Sequence, residues 1–414
     1  MSVRVSAHPD PVVVLDGAAS AIGRARRAVL ADRYLANSLA VEWRDLSELQ
    51  SIAGEWAELA ARALEPNVFY EPAFLLAAAP VFARDAGAML VWSGGVPRRL
   101  LGFFPARRQR RRYGIDLPIL LGLIHPYAPL GVPLVEREAA EPVIAAWLAK
   151  LAADESAPAW LLLPSLPSNG PFAAALEAIV RRARMPTADF NRHQRALLAP
   201  TGERPLYVEN ALGQRQHKEL RRHWRRLSET GAVLFTAATE PAAVAAALDD
   251  FLALEAAGWK GRAGTAAADH EEVRRFTRAA VIGLAAEGKV LLNRILVDGT
   301  AIAAAIVLRS GHQAWFWKIA YDESFARFSP GVMLSVALTD ELLDEPTIER
   351  TDSCATADHP MIDHLWRERL AMSNRLVAAR SPARFWLVKS LEGLRSAAIN
   401  GAKKIRIGPR ARRR

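Results

Sequence analysis

Apolar residues recur along the chain at two different spacings, which predict alternating helices and strands. Leu49, Ile52 and Trp56 lie three to four positions apart, as residues on one face of a helix do. Residues 315–321, in contrast, are rich in aromatic and β-branched side chains, which favour a pleated strand. The pattern therefore predicts an α/β (α+β) protein in which helices and strands follow one another.

The first half of the chain shows this alternation after an N-terminal segment of mixed pattern. Residues 1–40 are expected to be poorly ordered, apart from one helix at 18–35, and a first domain is expected over residues 41–200. The predicted strands are 88–92, 100–107 and 159–164, and the predicted helices are 46–63, 138–153 and 172–182.

A break near residues 201–205 leads into a second predicted domain, residues 206–376. Three strands follow one another in this domain, and Asp298-Gly299 between the first two is a strong hairpin signal. The predicted strands are 232–236, 290–297, 301–309, 313–321 and 348–353, and the predicted helices are 241–257, 270–287, 331–343 and 362–370.

The junction between the strand 313–321 and the helix 331–343 has the chemistry of an anion site. Ser329 is suited to the N-cap of that helix, and Pro330 to its first position. Such a helix start presents backbone N–H groups and the positive end of the helix dipole, here beside Arg327. An ordinary capped helix that binds no ligand has the same sequence pattern. The pattern therefore has two interpretations, a structural helix cap and a phosphate-binding site.

Four segments in order resemble bacterial GNAT-superfamily acyltransferases. The junction contributes Lys-x-x-Tyr-Asp at 318–322 and Ser-Pro-Gly-x-x-Leu at 329–334. A basic helix at 215–231, a Trp-Lys-Gly segment within 255–261, and Thr-Asp followed by a downstream Trp within 351–366 also match. The resemblance is to the group associated with cellulose and exopolysaccharide biosynthesis, which is related to the Fem-type peptidoglycan aminoacyltransferases.

The resemblance extends over residues 210–370 and implies both fold and activity. It implies tandem GNAT-like domains, each a mixed, mostly antiparallel sheet flanked by helices, with the first domain a degenerate copy. The implied reaction transfers an acyl group from acyl-CoA (acetyl-CoA) to a small-molecule or sugar amine in polysaccharide or cell-envelope biosynthesis, with no metal. The residues expected to bind the donor are Lys318, Arg327, Phe328, Ser329, Pro330, Gly331 and Val332.

Acyl transfer to an amine needs a group that removes the ammonium proton. Asp352, expected at a strand end in the donor cleft, is the first candidate, and Glu255, at a helix end facing the same cleft, is the second. Each also has a plain structural interpretation, as a turn-capping carboxylate and a solvated helix residue respectively. The residues expected to bind the acceptor are Trp259, Lys260, Tyr321, His359 and Asp363.

Two adjacent positions depart from the family pattern. Where the family commonly has Tyr-Lys shortly before the downstream Trp366, this chain has Ile362-Asp363. The departure puts any role that requires a lysine there in doubt, and suggests a different acceptor or donor.

Composition limits the class of protein and its compartment. The 414 residues are 51% hydrophobic and 24% charged, which suits two globular domains. The net charge of +10 includes seven cations within residues 403–414, so the rest of the chain is near +3 (10 − 7). Cys354 is the single cysteine, which excludes a disulfide framework and suits a reducing cytoplasm.

No membrane-spanning segment is expected, and the chain is expected to be cytoplasmic. Residues 117–135 carry no formal charge, but four prolines interrupt them, so we expect buried strand and loop there. The segment 377–414 is amphipathic and basic. It is interpreted as a packing helix, with attachment to an anionic membrane surface at the inner face as the alternative.

Two other functions remain open. A Fem-type transferase would take its donor from aminoacyl-tRNA through the basic helix, which carries Arg215, Lys218, Arg222 and Arg225 on one face. A non-catalytic module would instead tether polysaccharide-synthesis machinery at the membrane. Nucleic acid is expected as a partner only in the first of these.

Overall fold

The computed structural model describes residues 39–200, 206–380 and 383–407. The helix expected at 18–35 and the break expected at 201–205 lie outside the described residues. The described strands are β1 Leu39–Asp45, β2 Ala86–Ser93, β3 Leu100–Arg112, β4 Ile115–Gly122, β5 Leu134–Val135, β6 Trp160–Pro167, β7 Thr187–Leu198, β8 Val233–Ala238, β9 Val290–Val297, β10 Thr300–Ser310, β11 Gln313–Tyr321, β12 Arg350–Asp352 and β13 Glu368–Ala378.

Helices cover both faces of the sheet that these strands form. They are α1 Ala53–Arg62, α2 Pro72–Phe82, α3 Ala140–Ala153, α4 Pro171–Arg182, α5 Tyr207–Ser228, α6 Pro241–Ala257, α7 Trp259–Arg262, α8 Glu271–Ala286, α9 Pro330–Asp344, α10 Ile362–Leu365 and α11 Phe385–Ile407. A 3-10 helix, Leu46–Ile52, precedes α1, and another, Glu323–Phe328, precedes α9.

The strands form one continuous sheet whose two halves have the same plan. The order is β1-β2-β3-β4-β6-β13-β7-β12-β11-β10-β9-β8, with β5 beside β3. In each half, four neighbouring strands pair antiparallel, and the fourth of them also pairs parallel with one further strand. This parallel pair is β4 with β6 in the first half and β11 with β12 in the second. This arrangement confirms the predicted fold class, a mixed and mostly antiparallel α/β sheet flanked by helices.

The last strand of each half crosses to the other half. Strand β7 follows β6 along the chain but pairs with β12, whereas β13 follows β12 but pairs with β6. The two crossed strands also pair with each other at the centre of the sheet. Backbone hydrogen bonds therefore join the halves directly, and the division into domains at residues 200 and 206 stays a prediction.

The helix predicted over residues 362–370 is wrong. Only the single turn α10 forms, and β13 begins at Glu368. Strand β13 pairs along both of its edges, and Met372 and Leu376 are buried in it. Pairing with two neighbouring strands satisfies more backbone groups than an exposed helix end would, so tertiary contacts override a helix-like local sequence.

Two apolar layers pack on opposite faces of the sheet. The first layer spans both halves and includes Phe74, Phe276 and Trp315; the Phe74 and Phe276 rings meet edge to face at 5.4 Å. The second layer lies under α9 and includes Leu334 and Phe316. No helix in the described ranges is long and apolar enough to cross a membrane.

Candidate functional site

The second half of the sheet opens between its two parallel strands. Pairing of β11 with β12 runs from Gln313 opposite Arg350 to Trp315 opposite Asp352. There β12 ends, while β11 continues to Tyr321. The β12-facing edge of β11 beyond Trp315 therefore borders a cavity of about 610 Å³ instead of a neighbouring strand.

Five parts of the chain line this cavity. Residues 316–321 of β11 form one wall, and residues 353–355, which continue from β12, lie across from them. The N-terminal turn of α9, residues 329–332, closes one end, and residues 359–362 lie beside it. The end of α6 and the start of α7 supply Glu255, Trp259 and Lys260.

A β-bulge fixes the course of β11 at the point where it leaves β12. Ile306 of β10 pairs with Lys318, but the next residue of β10 pairs with Phe316, so Trp317 is the extra residue. The indole Nε1 of Trp317 donates to the carbonyl oxygen of Tyr127 at 2.8 Å. A bulge re-aims the backbone and side chains next to it, and bulges are frequent beside active sites.

The start of α9 is tightly arranged against β11. Ser329 occupies the N-cap position with φ of 55°, and its carbonyl oxygen accepts from the amides of Val332 and Met333, both at 3.0 Å. Pro330 has no amide hydrogen. Gly331 therefore carries the first-turn amide that helix geometry leaves for a ligand. A Cβ at Gly331 would lie 3.1 Å from Cδ1 of Tyr321.

Glu255 is a buried carboxylate in the cavity wall. Its Oε1 lies 2.8 Å from Nζ of Lys260, and its Oε2 accepts from the Ala267 amide at 2.9 Å. Burial acts to raise the pKa of Glu255, but the ammonium groups of Lys260 and Lys318 and these hydrogen bonds outweigh it and hold the pKa below its usual value. The Glu255 side chain is thus an anion at neutral pH.

Lys318 lies in the cavity wall. Its Nζ lies 4.0 Å from the centre of the Tyr127 ring. Burial lowers the pKa of Lys318 to about 8, although the Glu255 carboxylate acts in the opposite direction. Near neutral pH the side chain therefore exists in both its charged and its neutral form.

Asp352 does not face the cavity, so the expectation that it lies in the donor cleft is wrong. Its side chain is buried in an ion pair with Arg195 of β7, and Arg195 also donates to the carbonyl oxygen of Pro129 at 3.1 Å. Register explains the position: Asp352 lies beside Trp315, whose side chain belongs to the apolar layer on the face opposite α9. Both of its oxygens have partners, since Oδ1 accepts from the Cys354 amide at 3.0 Å.

The residues predicted to bind the donor divide into two groups. Lys318 and residues 329–332 line the cavity. Phe328 is buried, and Arg327 is exposed with its guanidinium 4.7 Å from the Phe328 ring centre; neither residue lines the cavity. The roles assigned to all of these residues stay predictions.

Of the residues predicted to bind the acceptor, Trp259, Lys260, Tyr321 and His359 line the cavity, and Asp363 does not. Burial lowers the pKa of His359, so its ring is neutral at pH 7. The amides of Met361 and Ile362 approach its Nδ1 at 3.4 Å, and we therefore assign the hydrogen to Nε2. His359 is thus a hydrogen-bond donor there.

Sequence reasoning missed two residues at the site. Tyr127 belongs to the first half of the chain, and no local pattern places it beside Lys318. Cys354 lines the cavity, but burial raises the pKa of its thiol well above the usual value, so it is not a thiolate nucleophile at neutral pH. In the part of the chain that the structure describes, no group of three or more His, Cys, Asp or Glu side chains is suited to hold a metal ion.

Part of the second half of the chain is similar to a known type of domain. Residues 214–359 match the family model of the acetyltransferase (GNAT) domain. A search of curated proteins finds no match. Residues 214–359 are therefore similar to a GNAT-type acetyltransferase domain, which supports a transferase of acyltransferase-like type.

Solved structures share the fold over most of the chain. A crystal structure of FemX is 9% identical, with 79% of this chain and 95% of that chain covered and a TM-score of 0.53. The C-terminal domain (DUF2156) of a putative lysylphosphatidylglycerol synthetase from Agrobacterium fabrum is 12% identical, with 84% of this chain and 96% of that chain covered and a TM-score of 0.52. At these identities the similarity concerns the fold.

Proposed function

We propose that the chain is an acyl-CoA-dependent N-acyltransferase whose reaction takes place in the cavity between β11 and β12. The observation that carries the proposal is the opening itself: β11 keeps an unpaired edge beyond Trp315, and the cavity beside it ends at the start of α9. The acceptor is an amine. Polysaccharide or cell-envelope biosynthesis is the setting that the sequence resemblance suggests.

The unpaired edge of β11 suits the pantetheine arm of the donor. That arm contains two amide groups, which can pair with strand N–H and C=O groups as an added strand does. The Gly331 amide and the positive end of the α9 dipole are suited to a phosphate oxygen. Helix α5, with its exposed arginines, packs against α9 and the Glu323–Phe328 turn, and supplies further positive charge near that end.

The transfer is proposed as a direct attack without a covalent enzyme intermediate. The amine nitrogen attacks the thioester carbonyl carbon, a C–N bond forms, the C–S bond breaks, and coenzyme A leaves as the thiolate. Neutral Lys318 takes the proton that the nitrogen must lose, because a pKa of about 8 leaves part of this side chain neutral near pH 7. Glu255 keeps Lys260 in place and stays charged. The neutral thiol of Cys354 takes no part.

Calorimetry of the full-length protein with acetyl-CoA tests the donor. We expect saturable binding with one site per chain and an affinity on the order of micromolar to millimolar, the usual range for such substrates. A folded sample that binds neither acetyl-CoA nor longer acyl-CoA molecules would contradict the proposal.

The pH dependence of turnover tests the role of Lys318. Because the neutral amine is the active form and its fraction grows as pH rises through about 8, kcat/KM should rise roughly tenfold per pH unit below that value and level off above it. Lys318→Met should lower kcat by about a hundredfold or more, the scale of a lost general base.

Lys318→Arg is the matched variant, because arginine keeps the positive charge but cannot deprotonate. If Lys318 acts as a base, the arginine variant should be as inactive as the methionine variant. Recovery of activity in Lys318→Arg would show that only the charge is needed. An unchanged rising limb in either variant would assign the titration to the acceptor amine instead.

A second donor, aminoacyl-tRNA, is supported by the surface of α5. Six cations of this helix are exposed against two exposed acids, Glu209 and Glu219; the cations are Arg215, Lys218, Arg221, Arg222, Arg225 and Arg226. Binding of tRNA that weakens steeply with salt, and is lost when Arg221 and Arg225 are replaced by glutamate, would favour this donor. Acetyl-CoA binding that survives the same replacements would favour the first proposal.

A further inference from the structure

Helix α11 packs on the rest of the protein through one narrow face. Phe385, Val388, Glu392 and Ser396 recur three to four positions apart, and all four are buried. Phe385 lies 6.3 Å, ring centre to ring centre, from Trp160 of β6. This spacing is that of a single helix face, so the opposite face of α11 points away from the protein.

A buried ion pair fixes the orientation of α11. The guanidinium of Arg112, in β3, donates to Glu392 through Nη2 at 2.9 Å and Nε at 3.1 Å. Tyr113 also donates its hydroxyl hydrogen to Glu392. Because both charged side chains are almost completely buried, the contact holds the helix in one rotational setting. The face that points outward is therefore a defined surface.

That outward face is apolar. Trp386, Leu387 and Leu394 are 76%, 51% and 70% exposed. On a helix that packs against a globular protein, residues of this kind normally lie on the inner face and polar residues on the outer one. Here apolar residues occupy both faces, which is the pattern of a surface that binds something.

The charges around the outward face indicate an anionic occupant. The ammonium of Lys389 lies 5.0 Å from the centre of the Trp386 ring; Arg384, directly before α11, and Arg395, within it, are exposed. From residue 384 to residue 414 the sequence has ten Lys and Arg residues and one acid, Glu392, which Arg112 already neutralises. A second copy of this chain would bring the same positive charge against itself.

We propose that α11 binds an anionic lipid surface, with Trp386, Leu387 and Leu394 entering the interfacial region of the bilayer. Exposed tryptophan and leucine side chains provide the apolar contact, and the flanking cations provide attraction to acidic headgroups. A nucleic acid would contact the cations but would leave Trp386, Leu387 and Leu394 exposed. This inference does not depend on the reaction proposed above, and it assigns α11 a role in placing the protein at a membrane.

Co-sedimentation of the full-length protein with vesicles tests the proposal. We expect binding to vesicles that contain phosphatidylglycerol and little binding to vesicles of phosphatidylcholine alone, with the binding weakened by salt. Trp386→Ser combined with Leu394→Ser should weaken the binding by roughly tenfold or more, because the apolar contact is lost. Trp224→Ser, at an exposed tryptophan on α5, is the matched control and should bind as the unaltered protein does.

A second pair of variants separates local charge from overall charge. Arg384→Glu with Lys389→Glu, and Arg221→Glu with Arg225→Glu on α5, change the net charge by the same amount. We expect a loss of roughly tenfold or more in the α11 pair alone. Equal loss in both pairs would overturn the proposal. So would a dimer, found by light scattering without lipid, that Trp386→Ser with Leu394→Ser separates into monomers. Unchanged thermal unfolding of each variant checks that it is folded.

Discussion

Gly331→Trp should remove acetyl-CoA binding from an otherwise normal protein. The start of α9 has no room for a side chain toward β11, since even a Cβ at Gly331 would lie 3.1 Å from the Tyr321 ring. An indole there must turn into the cavity or displace the first turn of α9, and either change blocks the Gly331 amide. We expect calorimetry to show an affinity loss on the order of a hundredfold or more, about 2.7 kcal/mol of binding free energy.

Two comparisons make the result specific. Gly54→Trp, in the first turn of α1, introduces the same side chain where a Cβ meets nothing within 4 Å, so binding should be unchanged. Gly331→Ala adds only the methyl group against Tyr321 and should give an intermediate loss. If Gly331→Trp bound acetyl-CoA as tightly as the unaltered protein, the donor would have to lie outside this end of the cavity.

The junction at Gly331 could be found in the sequence because its parts are consecutive. The strand at 313–321 and the helix at 241–257 have the predicted bounds, and α9 extends the predicted helix by one residue at each end. Each is governed by local spacing, by aromatic content or by a proline at a helix start. The cavity lies along the same segment, because β11 extends beyond the end of its parallel neighbour β12 and its edge is unpaired there.

The centre of the sheet could not be predicted in the same way. Strands β7 and β13 are each placed by pairing with the opposite half, and no local signal in residues 362–370 marks the change from one helical turn to a strand. The position of Tyr127 beside Lys318 depends on the same long-range assembly. Local propensity is a weak guide where tertiary pairing decides the backbone conformation.

Asp352 is the clearest case, because its residue type and its place at a strand end suggested catalysis. Only the structure shows its partner, Arg195, which is 157 residues away in the sequence. Both side chains are almost completely buried. Removing one charge of such a pair leaves the other without compensation in a poorly solvated site, whereas removing both is far less costly.

Asp352→Asn should therefore destabilise the fold by about 3–5 kcal/mol, the usual cost of breaking a buried ion pair. Urea unfolding measures the loss. Asp352→Asn combined with Arg195→Met should recover part of it, because the uncompensated guanidinium is gone. Asp116→Asn, at an exposed carboxylate, should change the free energy of unfolding by less than about 0.5 kcal/mol.

The same variant also decides between a structural and a catalytic Asp352. Since its carboxylate does not line the cavity, turnover per folded molecule at a temperature well below unfolding should stay within a few-fold of the unaltered protein, unlike that of Lys318→Met. A variant of normal stability with a hundredfold lower turnover would return the role of base to Asp352, because a lost general base costs on that order. For Asp352 to act as the base, its ion pair with Arg195 would have to open during the reaction, so that the carboxylate could reach the amine.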